Sequence, residues 1–259
     1  MAKLDSQWLE ISNERMERFE EMFQWSEATA HYYDGASISP GLRVADFGCG
    51  PGYQAVEFAK KVGPEGHVHA LDINKEFLRR AQARADEAGV GNQVSFHLLD
   101  SEIMPIADKE LDRVVVRNTL IHVPDPAANM VEFRRVLRSG GLAHIIEGDR
   151  RLMAVEPLDL NEWNDLIDAA GWAWHQPTIG RRLHGLAKSA GFSETVVRVL
   201  AAADTEGRLL GMIRTISEYA AEGGMERHRV VDIMAKIEEG LAQGTYMAVS
   251  PQFVVTAVA

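Results

Sequence analysis

Between residues 42 and 149 the chain alternates short apolar runs with longer amphipathic ones, five times in succession. Strands joined by crossover helices produce this rhythm, and strands so connected lie parallel in one sheet with helices on its faces. The apolar runs are LRVADF (Leu42 to Phe47), HVHALDI, QVSFHLLD, LDRVVVRN and LAHIIEGD. QAVEFAKKV spaces Val56, Phe58, Ala59 and Val62 as the buried face of a first crossover helix. In NKEFLRRAQARADEAG, Asn74 suits the start and Gly89 the end, with Phe77, Leu78, Ala81, Ala85 and Ala88 as the buried face. AANMVEFRRVLRSGG is expected to open at Pro126 and to close at the pair Gly140 and Gly141.

Outside this core the rhythm changes. A helix is expected over residues 5 to 25. Residues 150 to 178 carry Trp163, Trp172 and Trp174 and end in HQPTIG. RRLHGLAKSAGF then reads as a helix and ETVVRVLAAA as a sixth strand. Residues 206 to 243 hold two helical patterns, one marked by Leu209, Leu210, Ile213 and Ile216, the other by Val230, Met234, Ile237 and Leu241. QFVVTAVA reads as a closing seventh strand at or near a sheet edge.

Composition narrows the partners. A chain of 259 residues, 46% hydrophobic, can bury a full core. Its net charge of −11 opposes contact with phosphate backbones or anionic membranes, so no nucleic-acid partner is expected. No run is long and apolar enough to span a bilayer, and the N-terminal residues lack the unbroken apolar stretch of a signal peptide. The one cysteine, Cys49, permits neither an intramolecular disulfide nor a cysteine-based zinc site. A cytoplasmic location fits, and no metal is expected.

The first strand ends in VADFGCGPGYQ, residues 44 to 54. In a doubly wound sheet ligands collect at such strand ends, where Gly48 and Gly50 would let the backbone approach a ligand closely. The dinucleotide fingerprint G-x-G-x-x-G is not met, because Gly48, Gly50 and Gly52 give G-x-G-x-G. Asp46, two residues before Gly48, would also repel a pyrophosphate and welcome a cation. S-adenosyl-L-methionine carries a sulfonium, an ammonium and no phosphate. Asp72 ends the second strand 20 residues after Gly52, where a carboxylate can accept both hydroxyls of a ribose. Asp100 ends the third, where it could take the adenine amine, with Ser101 offering another hydrogen bond.

Together, VADFGCGPG, ALDI, LLDSEIMPIAD, LDRVVVRNTLIHVPDP and FRRVLRSGG resemble the class I S-adenosylmethionine-dependent methyltransferases, especially the branch of ubiquinone and menaquinone biosynthesis methyltransferases. The resemblance covers residues 42 to 149 in the family's order, with weaker echoes in IGRRLHGLAKSAGF and FVVTAVA. It implies an α/β, Rossmann-like, doubly wound, mostly parallel seven-stranded sheet with helical insertions or a lid. One domain is expected over residues 1–259. Its parts are a helical cap (1–41), a cofactor-binding core (42–149), substrate-covering insertions (150–180 and 205–245) and the remaining helix and strands (181–204 and 246–259).

Carried over by position, the resemblance implies that Asp46, Gly48, Cys49 and Gly50 line the methionine and ribose side of the cofactor. Asp72 and Ile73 would hold the ribose and flank adenine, and Asp100 and Ser101 would bind adenine. The backbone near Arg117 and Asn118 would meet the methionyl ammonium, with Tyr32 or Tyr33 over its carboxylate.

The acceptor side is less defined. His122, just past the fourth strand, suits a general base or a packed helix cap. Glu147 and Asp149 are alternative bases or acceptor ligands, or residues solvated at a loop start. The tryptophans suit an acceptor wall, or more simply the anchoring of an insertion to the core. The helices of residues 206 to 243 suit a lid, a homodimer surface or ordinary cover. Transfer to a small-molecule methyl acceptor is the leading expectation. Two alternatives stand beside it: an NAD(P)-dependent oxidoreductase, disfavoured by the glycine spacing and Asp46, and a cofactor-binding protein without methyl transfer.

Overall fold

The computed structural model describes residues 6–9, 11, 15–17, 20 and 24–259. Among the described residues ten strands form in chain order: β1 (Arg43–Phe47), β2 (His67–Asp72), β3 (Val94–Leu98), β4 (Leu111–Arg117), β5 (Leu137–Gly148), β6 (Ala154–Glu156), β7 (Glu194–Leu200), β8 (Ala203–Asp204), β9 (Met247–Val249) and β10 (Gln252–Val258). Seven of them make the main sheet, in the order β3-β2-β1-β4-β5-β10-β7. Strands β1 to β5 run parallel, and β10 lies antiparallel to both β5 and β7. The order reverses beside β1, so the carboxyl ends of β1 and β4 diverge into a crevice where ligands of such sheets bind.

Among the described residues seven longer helices accompany the strands: α1 (Tyr53–Val62), α2 (Lys75–Glu87), α3 (Pro126–Val136), α4 (Leu160–Ala169), α5 (Ile179–Ser189), α6 (Leu210–Glu222) and α7 (Arg227–Gln243). The expected caps form. The Asn74 side chain accepts the Phe77 N–H at 2.9 Å, and Asp125 takes the N–H groups of Ala127 and Ala128 ahead of Pro126. Phe58, Phe133, Met130, Leu120 and Leu71 are fully buried against the sheet; each such side chain contributes on the order of 1.5–3 kcal/mol.

QFVVTAVA lies near a sheet edge as expected, one strand in: Val254, Val255 and Ala257 are buried, whereas Val196, Val197 and Val199 of β7 are exposed at the edge itself. An unbroken apolar run is what a strand covered on both faces requires. Three expectations are corrected. The helix ending at Gly140 and Gly141 stops instead at Val136, and β5 begins at Leu137. The glycines fall inside that strand, and the Gly140 N–H donates to the Ala259 carbonyl at 2.9 Å. The helix expected over residues 5 to 25 is interrupted at Ile11; Ser6–Leu9, 15–17 and 20 are helical, and its remaining positions lie outside the described residues or, from 24 on, in coil. Finally, the insertion expected to be helical over 150–180 also contains β6, which joins β9 and β8 in a three-stranded sheet, β6-β9-β8, whose strands are too short to show a period.

The insertion between β5 and β7 leaves the main sheet at the carboxyl end of β5. It returns to the crevice: the Gln176 N–H donates to the Ile121 carbonyl at 3.0 Å, and its side-chain amide to the Pro124 carbonyl at 3.2 Å.

Candidate active site

Register brings the strand ends together. Phe47 pairs with Leu71 on one side and Val116 on the other, so Gly48, Asp72 and Arg117 emerge at one level. The Leu71 carbonyl accepts the N–H groups of Gly48 and Cys49 at 2.8 and 3.0 Å, which ties the glycine turn to β2. Gly48 has φ +75, and a Cβ there would lie 2.2 Å from Thr119 Oγ1. Gly52 has φ +85, and its Cβ would lie 2.5 Å from that of Ala81. Only glycine permits both the left-handed backbone and these approaches.

The result is a cleft at the strand ends, partly open to solvent, with about 1060 Å³ of empty space when that open to solvent is included. Asp46, Gly48, Cys49, Gly50, Asp72, Ile73, Ser101, Asn118 and His122 all line it. Asp72 holds the turn: its Oδ2 accepts the Gly50 N–H and its Oδ1 the Asn74 N–H, each at 2.8 Å. Burial lifts its carboxyl to about 6, opposed by those N–H groups. Asp46 is lifted further, to about 7, by burial and then by the charge of Asp72. Its Oδ2 is buried without a hydrogen-bond partner. Two adjacent buried carboxylates, one with an orphaned oxygen, make a site that a cation completes and a pyrophosphate does not. Burial and the two aspartates also push the Cys49 thiol up, so it stays protonated and serves as packing.

Four expected residues stand off the cleft lining. Asp100 is exposed, its carboxylate accepting from Ser101 Oγ at 3.2 Å, while Leu99, Ser101 and Glu102 take its place in the wall. Tyr33 is buried behind the wall, packed on Trp25 and Phe58. Its hydroxyl accepts from Arg117 Nη1 at 3.2 Å. Glu147 is fully buried, and its Oε1 accepts the N–H groups of Thr119 and Leu120 at 2.7 and 2.6 Å. It thereby shapes the turn after β4, where Asn118 has φ +51. Burial raises its carboxyl to about 7. Asp149 is buried against the Arg181 guanidinium and caps the turn at Arg151.

His122 does face the cleft, edge-on to Trp8 with ring centroids 4.4 Å apart. Burial, followed by the charges of Arg150 and Arg15, holds its imidazole down to about 3. It is neutral at physiological pH and a weak proton acceptor. The lining also includes Trp8, Gln54, Phe77, Arg117, Thr119, Val123 and Asn129. Gln54 and Thr119 follow the glycine turn and β4 directly, so proximity in sequence could have flagged them. Trp8 reaches the cleft through a tertiary approach that no local pattern encodes. Of the tryptophans, Trp163 and Trp174 are buried, and Trp172 donates to the Tyr219 carbonyl at 2.8 Å. Among the described residues no group of three or more His, Cys, Asp or Glu side chains is arranged to hold a metal ion.

Residues 38–191 match the methyltransferase domain family. The chain is 30% identical over 240 residues to an uncharacterised 37.1 kDa protein of transposon TN4556 from Streptomyces fradiae, covering 87% of this chain and 65% of that one. It is 34% identical over 122 residues to the ubiquinone/menaquinone biosynthesis C-methyltransferase UbiE of Bordetella avium, covering 47% of each. The chain thus spans less than two thirds of either relative. In fold it is similar to phosphoethanolamine N-methyltransferase 2 of Haemonchus contortus in complex with S-adenosyl-L-methionine, at a TM-score of 0.65 and 16% identity over 95% of this chain and 57% of that one. Family match, strand order and glycine turn agree: the chain belongs to the class I S-adenosylmethionine-dependent methyltransferases.

Proposed function

We propose that this protein transfers a methyl group from S-adenosyl-L-methionine to a small-molecule acceptor. The observation that carries the proposal is the pair Asp46 and Asp72 at the glycine turn, buried side by side with one carboxylate oxygen unpartnered. When bound, the cofactor supplies a sulfonium methyl that an acceptor lone pair displaces in line, leaving neutral S-adenosylhomocysteine. The chain supplies position and dryness, which together account for several kcal/mol of such a barrier.

Asp46, Gly48, Cys49 and Gly50 would line the methionine and ribose side, with Asn118 toward the ammonium. Asp72 and Ile73 would hold the ribose, and Ser101 the adenine, with Asp100 at its exposed margin. Tyr33 acts through Arg117 rather than by contact. His122 faces the acceptor, while Glu147 and Asp149 position the turns after β4 and β5. A chain with one buried cysteine suits a cytoplasmic setting. A homodimer through α6 and α7 is supported by the exposed Val231, and sedimentation of the wild-type protein tests it.

Calorimetric titration tests the cofactor: S-adenosylmethionine binds the wild-type protein, and Asp72→Ala weakens binding by about a hundredfold, the loss of charge-assisted hydrogen bonds worth roughly 2–3 kcal/mol. No binding to the wild type sinks the proposal. Release of S-adenosylhomocysteine across an acceptor panel separates an enzyme from a cofactor-binding protein without turnover. NADH titration followed by fluorescence addresses the dinucleotide alternative, which the paired aspartates oppose.

A further inference from the structure

Arg150 stands directly after β5, on the acceptor side of His122. Its backbone is pinned: its N–H donates to the Pro177 carbonyl at 2.9 Å, and its carbonyl accepts from Trp163 Nε1 at 3.2 Å. Its guanidinium is held far less. Nη1 reaches Met212 Sδ at 3.3 Å, Cζ stands 5.4 Å from the Trp174 ring centre, and Nε is buried without a hydrogen-bond partner.

The carboxylates around it are otherwise engaged. Asp149 is taken by Arg181, and Asp168 by Arg151. Glu147 spends Oε1 on two backbone N–H groups, and its Oε2 is buried without a hydrogen-bond partner. The charges of Glu147 and Asp149 act on Arg150, but among the described residues it makes no direct ion pair, although its side chain is only partly exposed. A largely buried guanidinium without a direct partner gains when an anion arrives to pair with it.

Contacts lead from Arg150 back to the cofactor cleft. Trp174 meets Tyr219 with ring centres 6.1 Å apart, and the Tyr219 hydroxyl accepts from Arg15 Nη2 at 2.8 Å. Arg15 lies 5.0 Å over Trp8, which meets His122 at 4.4 Å in the cleft wall. This path of two guanidiniums and flat rings ends at Trp8 and His122, which line the cleft together with Asp46 and Asp72.

We propose that Arg150 is the docking point for the carboxylate of the methyl acceptor, an organic acid with a flat apolar body. The guanidinium fork matches a carboxylate with two parallel hydrogen bonds, and the rings beside it suit a planar hydrocarbon frame. This assignment rests on the methyltransferase reading and names the substrate class of that same site.

Calorimetry on protein saturated with S-adenosylhomocysteine tests it, using benzoate and benzamide as probes of nearly equal shape and different charge. Benzoate is expected to bind the wild type, to weaken by about tenfold or more in Arg150→Gln, and to bind Arg150→Lys with intermediate affinity. Benzamide should bind more weakly and respond to neither substitution. Equal binding of the two probes to the wild type, an unchanged benzoate affinity in Arg150→Gln, or no benzoate binding at millimolar concentration overturns the assignment. If Arg150→Gln fails to fold, the wild-type pair and Arg150→Lys decide. Binding of S-adenosylhomocysteine is measured first: its absence sinks the methyltransferase reading, whereas its presence with a charge-blind acceptor side sinks only this inference.

Discussion

Replacing Asp46 by asparagine should make the protein more stable and worse at binding its cofactor, in a way that depends on pH. The Asp46 carboxyl is raised from 3.8 to about 7, first by burial and then by the charge of Asp72. A carboxyl whose folded value is raised contributes stability fully below pH ~4, and that contribution is lost as pH rises through 7. The gap of roughly 3 pH units, at 1.36 kcal/mol each, puts the cost of holding Asp46 ionised on the order of 4 kcal/mol. Asparagine keeps the shape without the charge. At pH 8 we expect Asp46→Asn to melt higher than the wild type by about 8–16 °C, since 1 kcal/mol moves the midpoint of a domain this size by about 2–4 °C. At pH 5 the difference should nearly vanish.

The same carboxylate is what a bound sulfonium and ammonium would need. Affinity of the wild type for S-adenosylmethionine should therefore fall on the order of tenfold between pH 8 and pH 5.5, as Asp46 and then Asp72, raised to about 6, take up protons. Asp46→Asn should bind weakly with a flatter pH profile, the part that Asp72 supplies. Melting curves and calorimetry at matched ionic strength measure both. A melting difference that is equal at the two pH values, or an asparagine variant less stable at pH 8, would refute the reasoning.

Three further outcomes follow from the geometry. Glu147→Ala strands the Thr119 and Leu120 N–H groups and should cost about 2–4 kcal/mol in urea unfolding, whereas Glu147→Gln keeps an acceptor and should retain stability and turnover; loss of turnover in a stable glutamine variant would instead make Glu147 a base. Gly48→Ala sets a Cβ 2.2 Å from Thr119 at φ +75 and should cost at least about 2 kcal/mol, while Gly244→Ala, left-handed at φ +72 with open space around it, should cost about 1 kcal/mol, the backbone penalty alone. Asp100→Ala, at an exposed position, should change cofactor affinity by less than about threefold, as surface substitutions typically do; a large loss would mean that the carboxylate turns into the cleft on binding.

The layered sheet and the donor end of the site were legible because both are local. A strand, a glycine turn and a helix are contiguous, and each parallel strand delivers its last residue to the same sheet edge, so Asp46, Asp72 and Ser101 could be aligned from spacing alone. Asp100 shows where this fails: two residues past a strand end the side chain can turn either way, and here Leu99 and Ser101 face the cleft while Asp100 faces solvent. Glu147 and Asp149 are acidic residues at a strand end, just as Asp72 is. Only packing shows that one holds two backbone N–H groups and the other an arginine.

By itself, then, the sequence determined the parallel core, its glycine turn and a carboxylate-rich donor site, since these depend on period, chirality and backbone freedom. Tertiary structure alone decided that β10 is threaded between β5 and β7, that Trp8 and His122 share a wall, and that Arg150 Nε lies buried without a hydrogen-bond partner. Those facts depend on which distant segments meet. Whether a charge keeps a partner is set by the competition among all the groups that packing brings within reach.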